Sequence, residues 1–277
     1  MYVISGNHYA SGTIGDDSST LNNYWELGWE CVVSNIYIKQ CLVAGKLSKN
    51  DTIVARKGRE FFYSSLFDDV IDWETFCSLD VDKNDILSVP DTLDILKFLD
   101  IDYGNVDKSL VCNFDLDSNI EKKFNIDDKF MIYCIRLRDH ASYRNADINV
   151  TKECINFFKN EGFKVFIVGY GCEFLEDELG VVHLDLKDYA SLLRSKHCKF
   201  CVSTLSGIIH LANFCGHNNL YAFVLDHHSE RDNNSHPLYM GDNINYMDIK
   251  TKFISGPENS ENIKNLYYSV IKNEKTI

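Results

Sequence analysis

The sequence predicts an α/β chain of two Rossmann-like lobes, each built on a parallel sheet, facing a central cleft. Three observations carry that expectation. Short apolar runs alternate with segments of helical spacing, the pattern of parallel strands joined by helical crossovers. A length of 277 residues suits one large domain or two of about 130 residues, on a usual scale of about 100–200 per domain. Hydrophobic residues make up 45% and aromatic residues 13%, enough to fill real cores, so the chain is not a disordered one.

Taken in order, Tyr2–Ser5 is a first strand running into a Gly- and Ser-rich loop, Gly6–Ser19. Leu21–Leu47 follows with Leu21, Trp25, Val32, Ile36 and Leu42 at amphipathic spacing, predicting one or two helices. Thr52–Ala55 is a second strand, Arg59–Leu66 a short helix and Asp69–Ile71 a third strand. The acidic region Cys77–Asp128 yields a helix at Thr92–Leu99 and a strand at Lys108–Asp115. From Lys129 the alternation is clear: strand Phe130–Leu137, helix Val150–Asn160, strand Lys164–Val168, strand Val181–Leu184 and helix Tyr189–Ser195. A strand beginning at Phe200 then turns into a helix that Gly216 stops, followed by strand Leu220–Leu225 and a closing helix Ile263–Ile271. The lobes are expected at 1–120 and 128–277.

Composition narrows the partners. A formal net charge of −13 opposes non-specific association with nucleic acid or an anionic membrane. Ten cysteines lie scattered, several inside apolar runs, which predicts reduced thiols in a cytoplasmic protein rather than a disulfide framework or zinc site. The N-terminus lacks the pattern of a signal peptide. No apolar run reaches membrane-spanning length.

Four clusters carry candidate chemistry. The first, IRLRDHASYRN, places Arg136, Arg138, Arg144 and Asn145 at the carboxyl end of a strong strand, where open α/β sheets bind ligands. Arginine there suits a phosphate-bearing ligand, because the guanidinium offers a planar bidentate fork; ion pairing with Asp139 and acidic loops is the alternative. The second is the turn Ser203, Thr204, Ser206, Gly207 before a helix whose first turn holds His210. Free N–H groups and the positive dipole end make such a turn a site for a diphosphate, or else an ordinary cap. The third is Asp16 and Asp17 in GTIGDDSS, where a carboxylate would serve as a general base or simply be solvated. The fourth, Asp226, His227, His228 and His236, is better suited to lining a cleft than to a metal, since adjacent histidines rarely face one ion. Gly169, in a Gly-Tyr-Gly turn after a strand, would let the backbone approach a ligand.

SGIIHLANFCG resembles the motif of heptosyltransferase-like glycosyltransferases, in which Ser/Thr-Gly, two residues and His-Leu-Ala open the helix that holds the donor's diphosphate. The matching positions are Ser206, Gly207, His210, Leu211 and Ala212, with Leu205 in place of the family's Asp. Ile14-Gly15-Asp16 is similar to the family's Gly-Asp at the first loop, whose Asp is the proposed base. The Arg136/Arg138 strand resembles the arginine motif of fucosyltransferases. The resemblance implies a GT-B fold whose N-terminal lobe takes the acceptor and whose C-terminal lobe binds a nucleotide-diphosphate sugar. It implies sugar transfer to the hydroxyl of a glycan or other acceptor, without metal or other cofactor, in polysaccharide biosynthesis. Two further readings stay open on the same residues: a nucleotide-sugar epimerase, and a non-catalytic nucleotide- or glycan-binding module.

Overall fold

The computed structural model describes residues 1–5, 27, 30, 34–89, 113–137, 145–204, 207–226, 249–255 and 258–272. The chain divides into two compact units, Met1–Leu116 and Asp117–Ile277, each holding a wholly parallel sheet. This is the α/β architecture of paired parallel sheets that the sequence predicts.

In the first unit, β1 (Tyr2–Ile4), β2 (Thr52–Ala55), β3 (Asp69–Asp72) and β4 (Ile86–Ser88) assemble in the order β3-β2-β1-β4. Alternate residues point to opposite faces, and both faces are filled: Ile4 and Val54 pack with Phe76, while Val3 and Ile53 are buried on the other side. Helix α1 (Asn35–Val43) buries Ile36, Ile38 and Cys41, and α2 (Trp73–Cys77) starts where the Asp72 carboxylate accepts from the Thr75 N–H. Arg59–Leu66 forms a 3-10 turn, Glu60–Phe62, rather than a longer helix. Beneath it the buried Glu30 carboxylate accepts from Arg59, from Tyr63 Oη at 3.3 Å and from Ser5 Oγ at 3.4 Å. A lone buried carboxylate would be costly; here a guanidinium and two hydroxyls compensate it.

The expected strand at Lys108–Asp115 is not borne out in its described part. Residues 113–115 join neither sheet; instead Asn113 O accepts from Ser65 Oγ at 2.5 Å and the Asp115 N–H donates to Phe61 O at 2.9 Å. The loop Gly6–Ser19 and the helix at Thr92–Leu99 lie outside the described residues.

The second unit opens on a short helix, α3 (Ile120–Lys123), and continues β5 (Phe130–Arg136), α4 (Ile148–Asn160), β6 (Lys164–Tyr170), α5 (Phe174–Leu179), β7 (Val182–Leu184), α6 (Leu186–Leu192), β8 (Cys198–Thr204), α7 (Ile208–Cys215), β9 (Tyr221–Asp226), β10 (Lys250–Ser255) and α8 (Ser260–Tyr267), which ends in a π-helical turn, Tyr268–Lys272. The sheet order is β7-β6-β5-β8-β9-β10. Relabelled by chain order within the unit, this is 3-2-1-4-5-6, the doubly wound arrangement. The connection after β5 leads to one side and the connection after β7 returns to the other. The topological switch therefore lies between β5 and β8.

All seven residues of β5 are buried, as a central parallel strand covered on both faces requires. Met131, Tyr133 and Ile135 pack with Phe200, Val202 and Phe223 against Cys154, Ile155 and Phe158 of α4 and Ile263 and Tyr267 of α8. On the opposite face Cys134 Sγ lies 3.6 Å from Tyr189 Oη of α6. The last described segment is fastened to the first strand of the unit. Tyr133 Oη donates to Glu258 Oε1 at 2.8 Å and the Asp147 N–H donates to Glu258 Oε2 at 2.6 Å. Lys264 pairs with Glu153 at 2.6 Å, and Tyr267 Oη donates to Glu161 at 3.1 Å.

Two glycines are fixed by space. Gly216 does end α7, but with φ −66°, open to any residue; a Cβ there would lie 2.4 Å from Ala212 O and 2.8 Å from Leu220 Cδ2. Gly169 is not in a turn after β6 but inside the strand, at φ +149°, and a Cβ would lie 1.8 Å from Ile135 O. Gly169→Ala is expected to cost about 3 kcal/mol or more, combining backbone strain with a backbone clash. Gly45→Ala, also at positive φ (+69°) but with nothing within 4 Å, is expected to cost about 1 kcal/mol. Urea unfolding of the two variants checks the ranking.

Candidate functional site

The carboxyl ends of β5 and β8 lie side by side, Cys134 in register with Ser203. Arg136 closes β5 and is 9% exposed. Its Nη1 donates to Asn145 Oδ1 at 2.7 Å, and its carbonyl accepts from the Ala146 N–H at 2.9 Å. The chain leaving β5 is thus brought back to its starting residue before α4 begins. Asp147 then caps α4, its carboxylate accepting from the Asn149 and Val150 N–H groups. The sequence pairs Arg136 with Asn145 only by proximity; the structure joins them directly. Arg138 and Arg144, between them in sequence, lie outside the described residues.

At the end of β8, Ser203 Oγ donates to the Thr204 carbonyl at 2.7 Å. Thr204 is 2% exposed, and its Oγ1 has no hydrogen-bond partner among the described residues. Gly207 occupies the N-cap position of α7 and brings no side chain to cap it, so the first-turn N–H groups of the helix lack that partner. Beneath this turn Tyr189 Oη donates to Ile208 O at 3.3 Å, setting the helix start on a buried phenol. His210 lies in the first turn, as its spacing predicts, and burial pushes its pKa down to about 4, which keeps the ring neutral at ordinary pH. Ser206 is outside the described residues.

One strand to the other side, the Gly169 carbonyl receives His183 Nε2 at 2.9 Å, and its backbone presses on Ile135, the neighbour of Arg136. The structure therefore brings Arg136, Asn145, Gly169, Ser203, Thr204, Gly207 and His210 to the carboxyl edge of one sheet around its switch point. Asp16, Asp17, His227, His228 and His236 lie outside the described residues. Among the described residues no group of three or more His, Cys, Asp or Glu is placed to hold a metal ion, and no helix is long and apolar enough to cross a membrane. Cys41, Cys77, Cys134, Cys154, Cys172, Cys198, Cys201 and Cys215 are free thiols. Burial pushes those of Cys134, Cys154 and Cys172 up to about 12, so they are poor nucleophiles.

Two supporting residues carry no motif. Tyr189 is an aromatic in an apolar helix and Glu258 one acid among many; only the fold shows the first under α7 and the second against Tyr133. Burial raises the pKa of Glu258 above the usual carboxylate range, against the two hydrogen bonds that lower it.

No protein-family model matches the chain, and no curated protein matches it in sequence at a significant level. Solved structures do match its fold. The glycosyl transferase family 9 protein from Veillonella parvula is similar with a TM-score of 0.51 at 10% identity, over 98% of this chain and 89% of that one. The ADP-heptose LPS heptosyltransferase II of E. coli is similar with a TM-score of 0.56 at 11% identity, over 99% of each chain. At such identities the likeness is one of fold, and it extends over both units.

The depressed His210 pKa sets a pH dependence. Unfolded, the ring takes up a proton near 6.5; folded, only near 4. Between those values the unfolded state holds more protons, so stability falls as pH drops from about 6.5 to 4 and this contribution then levels off. His210→Gln is expected to flatten that part of the stability–pH curve, measured by denaturant unfolding at stepped pH.

Proposed function

We propose that this chain is a glycosyltransferase of the GT-B type that binds a nucleotide-diphosphate sugar on its C-terminal unit and transfers the sugar to an acceptor hydroxyl. The observation that carries the reading is the meeting, at the switch point of a doubly wound sheet, of an arginine-bearing strand end and a helix N-terminus without a side-chain cap. Doubly wound sheets bind nucleotides at that point. Arginine forks and first-turn N–H groups both favour an anion there, and the buried Thr204 hydroxyl offers a further donor. The fold likeness to a family 9 glycosyl transferase and to an ADP-heptose heptosyltransferase supports the same class.

In this reading the leaving diphosphate is neutralised by Arg136 and Arg138, with the Ser206–Gly207 turn and the start of α7. Fixed donors and a helix dipole supply stabilisation that a divalent metal would otherwise give, so transfer proceeds without one. Arg144, Asn145 and Gly169 complete the donor side. His210, neutral, touches phosphate or orients the turn. Asp16, with Asp17 as its rival, takes the proton of the attacking hydroxyl. Leu205, where the resembling family carries Asp, favours a second reading, a module that binds nucleotide or glycan without turnover; product analysis with donor and acceptor glycans separates the two.

Titration calorimetry with UDP, GDP, ADP and CDP tests the proposal. One nucleoside diphosphate is expected to bind with an affinity unchanged by EDTA, and Arg138→Ala to weaken it by about tenfold or more, the loss of a charge-assisted hydrogen bond, with no change in melting temperature. Failure of all four nucleotides to bind would sink the reading.

A further inference from the structure

Tyr170 is the last residue of β6 and stands in register with Arg136 across the β5–β6 pair. It is 69% exposed, while Arg136 beside it is 9% exposed. Its position is closely held. On one side Gly169 adopts φ +149°, presses on the Ile135 carbonyl and is bound through its own carbonyl by His183. On the other side Gly171 adopts φ +77°, and a Cβ there would lie 3.3 Å from Leu137 O. Two glycines thus let the backbone close onto the end of β5 while an aromatic ring projects from between them. Phe174, at the start of α5, is 50% exposed on the same connection.

We infer that Tyr170 is the stacking surface for the base of the bound nucleotide. The inference rests on the nucleotide-sugar reading above and adds the direction in which the ligand lies. The anion-binding groups are at β5, β8 and the start of α7; β6 is on the far side of β5 from β8. Two strand spacings, about 10 Å, separate the β8 end from the β6 end, comparable to the distance from the terminal phosphate to the base in an extended nucleoside diphosphate. Charge gives the same polarity. Glu173, Glu176 and Asp177 are exposed around α5, and Glu178 is paired with Lys152 at 2.5 Å, leaving a net negative local field that repels phosphate and tolerates an uncharged base. Stacking on an aromatic face is available to every base, because each has a π-surface.

The test is calorimetric titration of the full chain and of Tyr170→Ala, Tyr170→Phe and Tyr170→Trp with UDP, GDP, ADP and CDP. Tyr170→Ala is expected to bind the preferred nucleotide about tenfold or more weakly, at an unchanged melting temperature because the ring is exposed. Tyr170→Phe and Tyr170→Trp are expected to stay within about threefold of wild type, since they keep the π-face. A Tyr170→Ala variant as tight as wild type overturns the inference and leaves the functional reading standing. So does a Tyr170→Phe variant as weak as Tyr170→Ala, which would assign the effect to the hydroxyl. Wild type that binds none of the four removes the functional reading, and this inference with it.

Discussion

The C-terminal unit depends on one constraint: β5 is buried along its whole length and hydrogen-bonded to strands whose connections leave in opposite directions. Its apolar residues fill both faces, so the backbone can meet solvent only at its ends. At the carboxyl end the next residues must serve two neighbours at once. Gly169 yields to Ile135 on one side, and on the other Ser203 and Thr204 run alongside without the helix of a crossover between them. A gap at that edge follows from topology, whatever the side chains. Chemistry enters because the residue delivered to the gap is Arg136.

Arg136 is not presented as a loose cation. Its carbonyl and an Nη1 N–H are committed to Ala146 and Asn145, so it holds the chain where it returns to β5 as well as contributing charge. The same economy holds at β8, where Tyr189, from the neighbouring helix, supports the first carbonyl of α7. Tyr189 lies behind the residues proposed to meet the ligand, and Arg136, itself one of them, is held in place by Asn145. Preorganisation of this kind is what lets fixed donors stabilise a developing charge without reorganising at the moment of reaction.

Most of the fold was legible in the sequence because parallel strands buried on both faces are continuous apolar runs. Phe130–Arg136, Lys164–Tyr170 and Cys198–Thr204 stand out for that reason, and the apolar face of α4 shows at Cys154, Ile155 and Phe158. What escaped lacked that signal. β10, KTKFIS, is an edge strand whose lysines belong on an edge, where charge discourages pairing with other chains. β4 has three residues and sits in an acidic stretch; α5 is barely two turns. At the site, the arginine strand and the serine-rich turn were visible as residue types at strand ends. The Arg136–Asn145 bond, the phenol under α7 and the placing of Gly169 within a strand were not, because each depends on which strands become neighbours.

The bonds from Glu258, Lys264 and Tyr267 to Tyr133, Glu153 and Glu161 have a consequence for synthesis on the ribosome. The strand made first in this unit is completed by residues made more than a hundred positions later. Until Glu258 has left the exit tunnel, the Tyr133 phenol faces the interior without that acceptor, and α4 lacks the helix that covers it. Loop closure over such separations is slow and exposes apolar surface meanwhile. The nascent C-terminal unit therefore spends most of its translation without these contacts, and its fold waits on α8.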